Sequence, residues 1–161
     1  MLPNGSPFPE LSLRTPRGDE LLLPDATRGS YAVVLVYRGA WCPYCVAQLR
    51  SFAKREDLFK AEGITTVAFS ADSRTTAAHT VEDLGLPFPV GCEADVPAVA
   101  QALGCYTDPH ETFFQSTGFV LDPAGNTLLA LYSSGPIGRL GPADVLGFVS
   151  RRRDKGMGVA S

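Results

Sequence analysis

Tyr37-Arg38-Gly39-Ala40-Trp41-Cys42-Pro43-Tyr44-Cys45 decides the fold. It follows an unbroken apolar run, Tyr31 to Val36, which reads as a buried strand. It precedes Val46-Ala47-Gln48-Leu49-Arg50-Ser51-Phe52, whose apolar residues recur at the 3.6-residue period of a helix. The two cysteines therefore sit in a strand-to-helix turn, at the opening of the helix. Free backbone N–H groups and the positive end of the helix dipole favour an anion there. A thiolate is such an anion, and this placement lowers a cysteine pKa. Pro43 suits a first helical turn, where its missing N–H costs nothing.

Cys42 and Cys45 lie about one turn apart and can close a small-loop disulfide. Between a strand and a helix, that spacing reads as a thioredoxin-like redox motif. The other reading is half of a structural zinc site. Cys92 and Cys105 would have to be the second pair, but their separation is not knuckle spacing, and no histidine lies near either. The expectation is redox chemistry, with no metal and no cofactor.

The 161 residues suit one domain, 1–161, with a sizeable core. A net charge of −3 points to neither nucleic acid nor an anionic membrane surface as a partner. No stretch approaches the roughly 18 apolar residues of a membrane span. Met1 to Pro7 has neither the basic nor the apolar region of a signal peptide, so the expected compartment is cytoplasmic. Cysteines there stay reduced except during transient chemistry.

Outward from the turn, Leu11-Ser12-Leu13 and Glu20 to Leu23 predict a short hairpin around Thr15 to Asp19. A helix is expected from Pro43 to Ala61, stopped by Gly63, and a strand from Ile64 to Ser70. Asp72 and Ser73 can cap a helix over Arg74 to Leu84, ended by Gly85. Phe88 to Gly91 reads as a short extended piece. Asp95 or Val96-Pro97 opens a helix to Leu103. Residues 104–116 read as a long loop, of a size that is often functional or mobile. Thr117 to Asp122 and Asn126 to Tyr132 predict a hairpin across Pro123-Ala124-Gly125. A last helix is expected from Pro142 to Arg153, with Arg151, Arg152 and Arg153 as its solvated final turn. Alternating strands and helices imply an α/β sheet with helices on both faces, closed by an antiparallel hairpin.

With those residues placed, the chain resembles the peroxiredoxin (alkyl hydroperoxide reductase C / thiol-specific antioxidant) branch of the thioredoxin superfamily. The likeness rests on Gly5-Ser6-Pro7-Phe8-Pro9, on the Val67-to-Asp72 strand ending Ser-Ala-Asp, on Phe119 to Gly125, and on Gly138-Arg139. It implies a thioredoxin-like fold with an N-terminal hairpin, a central mixed sheet and helices on both faces. In that family the reactive cysteine lies in a Pro-x-x-x-Thr-x-x-Cys segment. On that pattern Cys45 takes the peroxidatic place, Cys42 the threonine place and Arg38 the proline place. Arg139 takes the place of the family's active-site arginine, implying a role in stabilising the Cys45 thiolate and polarising a peroxide O–O bond. A thiol donates more poorly than the threonine hydroxyl it replaces. The Trp-Cys-Pro-x-Cys run instead resembles thioredoxin, although Ser116-Thr117-Gly118 lacks the proline thioredoxins carry before the hairpin strand. The chain reads as a peroxiredoxin frame carrying a thioredoxin-type dithiol.

The expected activity is reduction of hydroperoxides, with Cys45 oxidised and Cys42 closing a disulfide that an external dithiol such as thioredoxin reduces. One alternative is a disulfide reductase in which Cys42 attacks. Another is a non-catalytic redox sensor or metal-binding module. The resemblance also allows a homodimer. Trp41, at the exposed edge of the turn, reads as a cover of the dithiol, and Tyr44 as pointing outward. Arg38 is open between a second positive charge for the thiolate and a strand-end surface residue. Cys92 and Cys105 read as small buried hydrophobes, with a resolving role open for Cys105. His79 and His110 read as surface residues.

Overall fold

The structure, a computed structural model, describes residues 1–159, so the last two residues of the expected 1–161 domain lie outside the described residues. Its centre is β3 (Tyr31–Val36), the apolar run that precedes the cysteines. From Ala32 to Val36 no side chain reaches solvent, because both faces of the strand are covered. β4 (Ile64–Phe69) pairs parallel to β3 and carries the short β5 (Val90–Gly91) on its outer edge. β6 (Thr117–Leu121) pairs antiparallel on the other side of β3, followed by β7 (Thr127–Tyr132), so the sheet order is β5-β4-β3-β6-β7. The hairpin of β1 (Leu11–Arg14) and β2 (Glu20–Leu23) stands apart as its own two-stranded sheet.

The alternation along β3 sorts the core into two layers. Val33, Leu35 and Tyr37 face α1 (Pro43–Lys54), α2 (Glu56–Ala61) and α5 (Pro142–Val159), meeting Leu49, Phe52, Phe59, Val145 and Val149. Ala32, Val34 and Val36 face the β1–β2 hairpin and α4 (Val96–Leu103). α3 (Arg74–Leu84) begins at Ser73, whose Oγ accepts the Thr76 N–H, and ends at Gly85 in the left-handed region, as its cap residues predict.

Two expectations are corrected. The single helix expected over 43–61 is two helices, broken at Arg55 (φ −104°, ψ 7°). In a straight helix Phe52 and Phe59 would stand roughly 10 Å apart along the axis. The break brings their rings edge to face at 5.5 Å, both fully buried, and Glu56 and Asp57 restart the second helix where acidic side chains suit the dipole. The last helix also runs on past Arg153 to Val159, so the three arginines are not its final turn. Arg153 reaches back instead to Glu62 (Nη1–Oε2 3.1 Å) and lies 5.3 Å from the Tyr31 ring centroid.

This topology positions the site. β3 ends at Val36, opposite Phe69 of β4 and Thr117 of β6. The turn after β3 thus meets the segment leaving β4 (Ser70 to Asp72) and the segment entering β6 (Gln115, Ser116).

Candidate redox site

Cys42 is the N-cap of α1, with Pro43 in the first turn and Cys45 three residues on. Both thiols are free and buried, Cys42 lying nearer the surface than Cys45. The turn leading to them is pinned by Asp72, whose Oδ2 accepts the Ala40 N–H at 2.9 Å. Gly39 is required by close approach: a Cβ there would lie 2.3 Å from Trp41 Nε1 and 3.0 Å from Asp72 Oδ1. Ser73 alone caps α3, which leaves Asp72 free for the turn.

Each sulfur has its own guanidinium. Arg139 donates from Nη2 to Cys45 Sγ at 3.6 Å, and the Arg38 backbone N–H donates to the same sulfur at 3.4 Å. Arg38 Nη1 lies 3.7 Å from Cys42 Sγ. Neutral amides hold both cations. Gln48 Oε1 accepts from Arg139 Nη1 at 2.7 Å while Gln48 Nε2 donates to the Leu140 carbonyl at 2.9 Å, and the Pro136 carbonyl accepts from Arg139 Nη2. Gln115 Oε1 accepts from Arg38 Nε at 3.0 Å. Among the described residues neither arginine has a carboxylate partner, so neither charge is neutralised in a salt bridge.

The two thiols titrate apart. Burial pushes Cys42 up, but the Cys45 thiol donating to its sulfur and the Arg38 guanidinium outweigh that, so Cys42 lies below the ordinary thiol range. The Cys45 amide faces the Cys42 sulfur favourably without closing a full capping bond. Burial, and the bond it donates to Cys42, push Cys45 up against the pull of the Arg38 amide and Arg139. The Cys45 thiol is the donor in this pair and the Cys42 sulfur the acceptor, so Cys42 is the sulfur more easily ionised.

Trp41 is 57% exposed and Tyr44 49%, so the first covers the site and the second points outward. Trp41 meets Phe113 edge to face at 5.0 Å, and the Arg38 guanidinium lies over both rings, 4.8 and 5.3 Å from their centroids. Phe113 belongs to the 104–116 loop, which is held by the Gln115 N–H to Tyr106 carbonyl bond (2.9 Å), by the buried Phe114 and by one carboxylate. Asp108 accepts from the backbone N–H groups of His110, Thr112 and Phe113 and from the Thr112 hydroxyl at 2.6 to 3.3 Å. Desolvation pushes its pKa up, but those four bonds together outweigh it and draw the value down to about 2.

The structure thus brings together Cys42, Cys45, Arg139 and Arg38. It does not bring in Cys92, whose thiol donates to the Arg14 carbonyl, or Cys105, which burial pushes up to about 11. Sequence reasoning missed Gln48, Gln115, Phe113 and the turn-pinning role of Asp72. Gln48 was findable, since a residue three after Cys45 shares its helix face. Gln115 and Phe113 gave no local signal. Among the described residues no three His, Cys, Asp or Glu side chains gather in a metal-holding group.

The chain is 28% identical over 141 residues to peroxiredoxin 2 of Sulfurisphaera tokodaii, covering 84% of this chain and 66% of that protein. It likewise spans just under two thirds (65%) of the peroxiredoxin of Thermotoga petrophila, at 27% identity over 142 residues and 84% of this chain. Peroxidoxin BcpB of Mycobacterium tuberculosis superposes with a TM-score of 0.81 over 94% of this chain and 98% of that one, at 18% identity, a likeness of fold. Residues 4–127 match the AhpC/TSA family along most of the chain, and the protein belongs to that family.

Proposed function

We propose that this chain is a thiol peroxidase that reduces hydroperoxides through a Cys42/Cys45 pair, one thioredoxin-like domain carrying the whole site. The observation that carries the reading is the Cys45 sulfur near the head of α1. It accepts from Arg139 Nη2 and the Arg38 amide, with a second thiol hydrogen-bonded to it. These are donors aimed where negative charge develops as sulfur attacks oxygen.

The reaction starts from the pair holding one proton between its sulfurs, on Cys45, which donates to Cys42. The Cys45 proton passes to the Cys42 thiolate, and Arg139 with the Arg38 amide holds the new Cys45 thiolate. That sulfur attacks the terminal oxygen, and the O–O bond breaks. The alkoxide leaves as alcohol by taking the proton from Cys42. Cys45 is now a sulfenic acid and Cys42 a thiolate again. Cys42 attacks the Cys45 sulfur, the S–O bond breaks, and hydroxide leaves as water on protonation. An external dithiol of thioredoxin type returns two electrons by exchange. Membership of the AhpC/TSA family and relatives named peroxiredoxins support this reading. No helix among the described residues is long and apolar enough to cross a membrane, and a cytoplasmic setting with thioredoxin as donor is the working assignment.

A second reading, a disulfide reductase with Cys42 as attacking sulfur, is favoured by one observation: Cys42 is the lower-pKa thiol and the one nearer the surface. Steady-state hydroperoxide consumption with thioredoxin as donor, run beside reduction of a protein disulfide, decides between them. Dimedone trapping after one equivalent of peroxide should label Cys45. Peroxide loss no faster than with free thiols in solution, together with brisk disulfide reduction, sinks the peroxidase reading.

A further inference from the structure

The family pattern carries a proline where this chain has Arg38, so nothing in that pattern anticipates a second cation at the dithiol. Arg38 nonetheless points its guanidinium at Cys42, with Nη1 3.7 Å from the sulfur. Three features fix it there. Gln115 Oε1 accepts from Nε at 3.0 Å, and the Trp41 and Phe113 rings lie against the guanidinium at 4.8 and 5.3 Å. Those rings displace water from the cation, which strengthens its field at the sulfur. No carboxylate among the described residues pairs with it, and the amide that orients it is neutral. A carboxylate in the place of Gln115 would hold the side chain as well but would cancel the charge. The titratable and charged groups around the dithiol are Arg38, Arg139, the two cysteines and the buried phenol of Tyr37, which burial holds neutral by raising its pKa, with Asp72 committed across the turn to the Ala40 N–H.

We infer that Arg38 is a catalytic residue of the Cys42 half of the reaction, its guanidinium holding Cys42 as the thiolate that closes the disulfide on Cys45. The inference deepens the peroxidase reading and rests on it for the step served. In that step the Cys42 lone pair forms the S–S bond, the Cys45 S–O bond breaks, and hydroxide departs. A protonated Cys42 cannot supply that pair, so the cation sets the fraction of enzyme able to resolve. The lowered titration of Cys42 agrees with this. A merely structural Arg38 would hold the 104–116 loop and leave the charge state of the sulfur alone.

The test is the pH profile of iodoacetamide alkylation of the reduced protein, with Cys42 and Cys45 scored separately by fragment-ion mass spectrometry. In Arg38→Met, alkylation of Cys42 below neutral pH should fall roughly tenfold, the change that one unit of pKa produces. Cys45 should hold its midpoint or move the other way, and Arg38→Lys should restore part of the loss. Arg38→Gln serves where the methionine variant does not fold, with the emission of Trp41 as the check. An unmoved Cys42 midpoint in the neutral variants overturns the inference. So does a parallel shift of both cysteines, or a loss that lysine does not reverse in any part. Because alkylation needs neither peroxide nor reductant, failure here leaves the peroxidase reading standing. A wild-type protein inert to peroxide would equally leave the Arg38 shift measurable.

Discussion

The two sulfurs are served by arms of the same composition, arginine held by glutamine, built on unequal foundations. The Cys45 arm rests on regular structure: Gln48 sits one turn beyond Cys45 on α1, and Arg139 is tied to it and to the Pro136 carbonyl just before α5. The Cys42 arm takes its arginine from the end of β3 but its glutamine and one aromatic ring from the 104–116 loop. A helix face fixes a side chain by successive backbone bonds, whereas the 104–116 loop has fewer of them and relies on Asp108 to gather residues 110–113. On the proposed roles, the sulfur that attacks peroxide is served from regular structure and its partner sulfur in part from a loop. That division is where the molecule can be tested.

The largest effect should come from exchanging the sulfurs themselves. Cys45→Ser should abolish peroxide turnover, a fall of about a thousandfold or more, because the oxygen of serine stays protonated and cannot replace the sulfur nucleophile. Cys42→Ser should keep the first turnover and stop there, with a long-lived sulfenic acid on Cys45 visible to dimedone. Mass spectrometry of single-turnover samples tells the two apart. A trapped sulfenate on Cys42 in the Cys45→Ser protein would reverse the roles of the arms.

Next comes the cation of the Cys45 arm. Arg139→Met should lower the second-order rate with peroxide by about a hundredfold or more, in the range found when a donor to developing charge is removed. Gln48→Leu should cost less, on the order of tenfold, since it leaves the guanidinium present but misdirected. Stopped-flow measurement of the Trp41 signal follows both, as the chain has a single tryptophan and its ring lies against the Arg38 guanidinium that reaches Cys42. If Arg38→Met slowed the peroxide step as much as Arg139→Met, the arms would not be separable in function.

Between these and the mildest change stands the turn that joins the arms. Gly39→Ala places a Cβ 2.3 Å from the indole nitrogen of Trp41, so the ring must move off Phe113 or the turn must shift from Asp72. Overpacking of this kind costs roughly 1–3 kcal/mol. The expected result is a lower denaturation midpoint with unchanged denaturant sensitivity, read by urea titration.

How much of this was legible from residues follows the same division. The strand and turn holding the cysteines, the caps of α3 at Ser73 and Gly85, and the β6–β7 hairpin are local patterns, and they fell where patterning places them. Arg139 was reachable only through its Gly-Arg context and a family resemblance, because 94 residues separate it from Cys45. The break at Arg55 was not legible: propensity favours helix through the whole stretch, and the packing of Phe59 on Phe52 decides otherwise. Gln115 was hidden for another reason. Its approach to Arg38 depends on the antiparallel register that sets Val36 against Thr117, and no residue nearby announces that pairing. Charge and apolar pattern specify elements, while the meeting of loop ends is settled by register.

The smallest expected effect probes the Cys42 arm through the Asp108 carboxylate. Asp108 titrates at about 2 in the folded loop, below the ordinary carboxylate value of roughly 3.9. A group held low in the folded state favours that state above its unfolded pKa. The contribution fades as pH falls from the ordinary carboxylate range through about 2. Acid should therefore loosen residues 104–116, release Phe113 from Trp41 and shift the tryptophan emission, with helix content by circular dichroism lagging behind. Asp108→Asn should bring a weaker form of that shift to neutral pH, since one amide oxygen replaces two acceptor oxygens that serve four donors. Because Gln115 and Phe113 belong to this loop, the variant should slow Cys42 alkylation a few-fold while leaving the peroxide rate at Cys45 nearly unchanged. An equal loss at both sulfurs would mean that the loop supports the whole site, and the two arms would then be one.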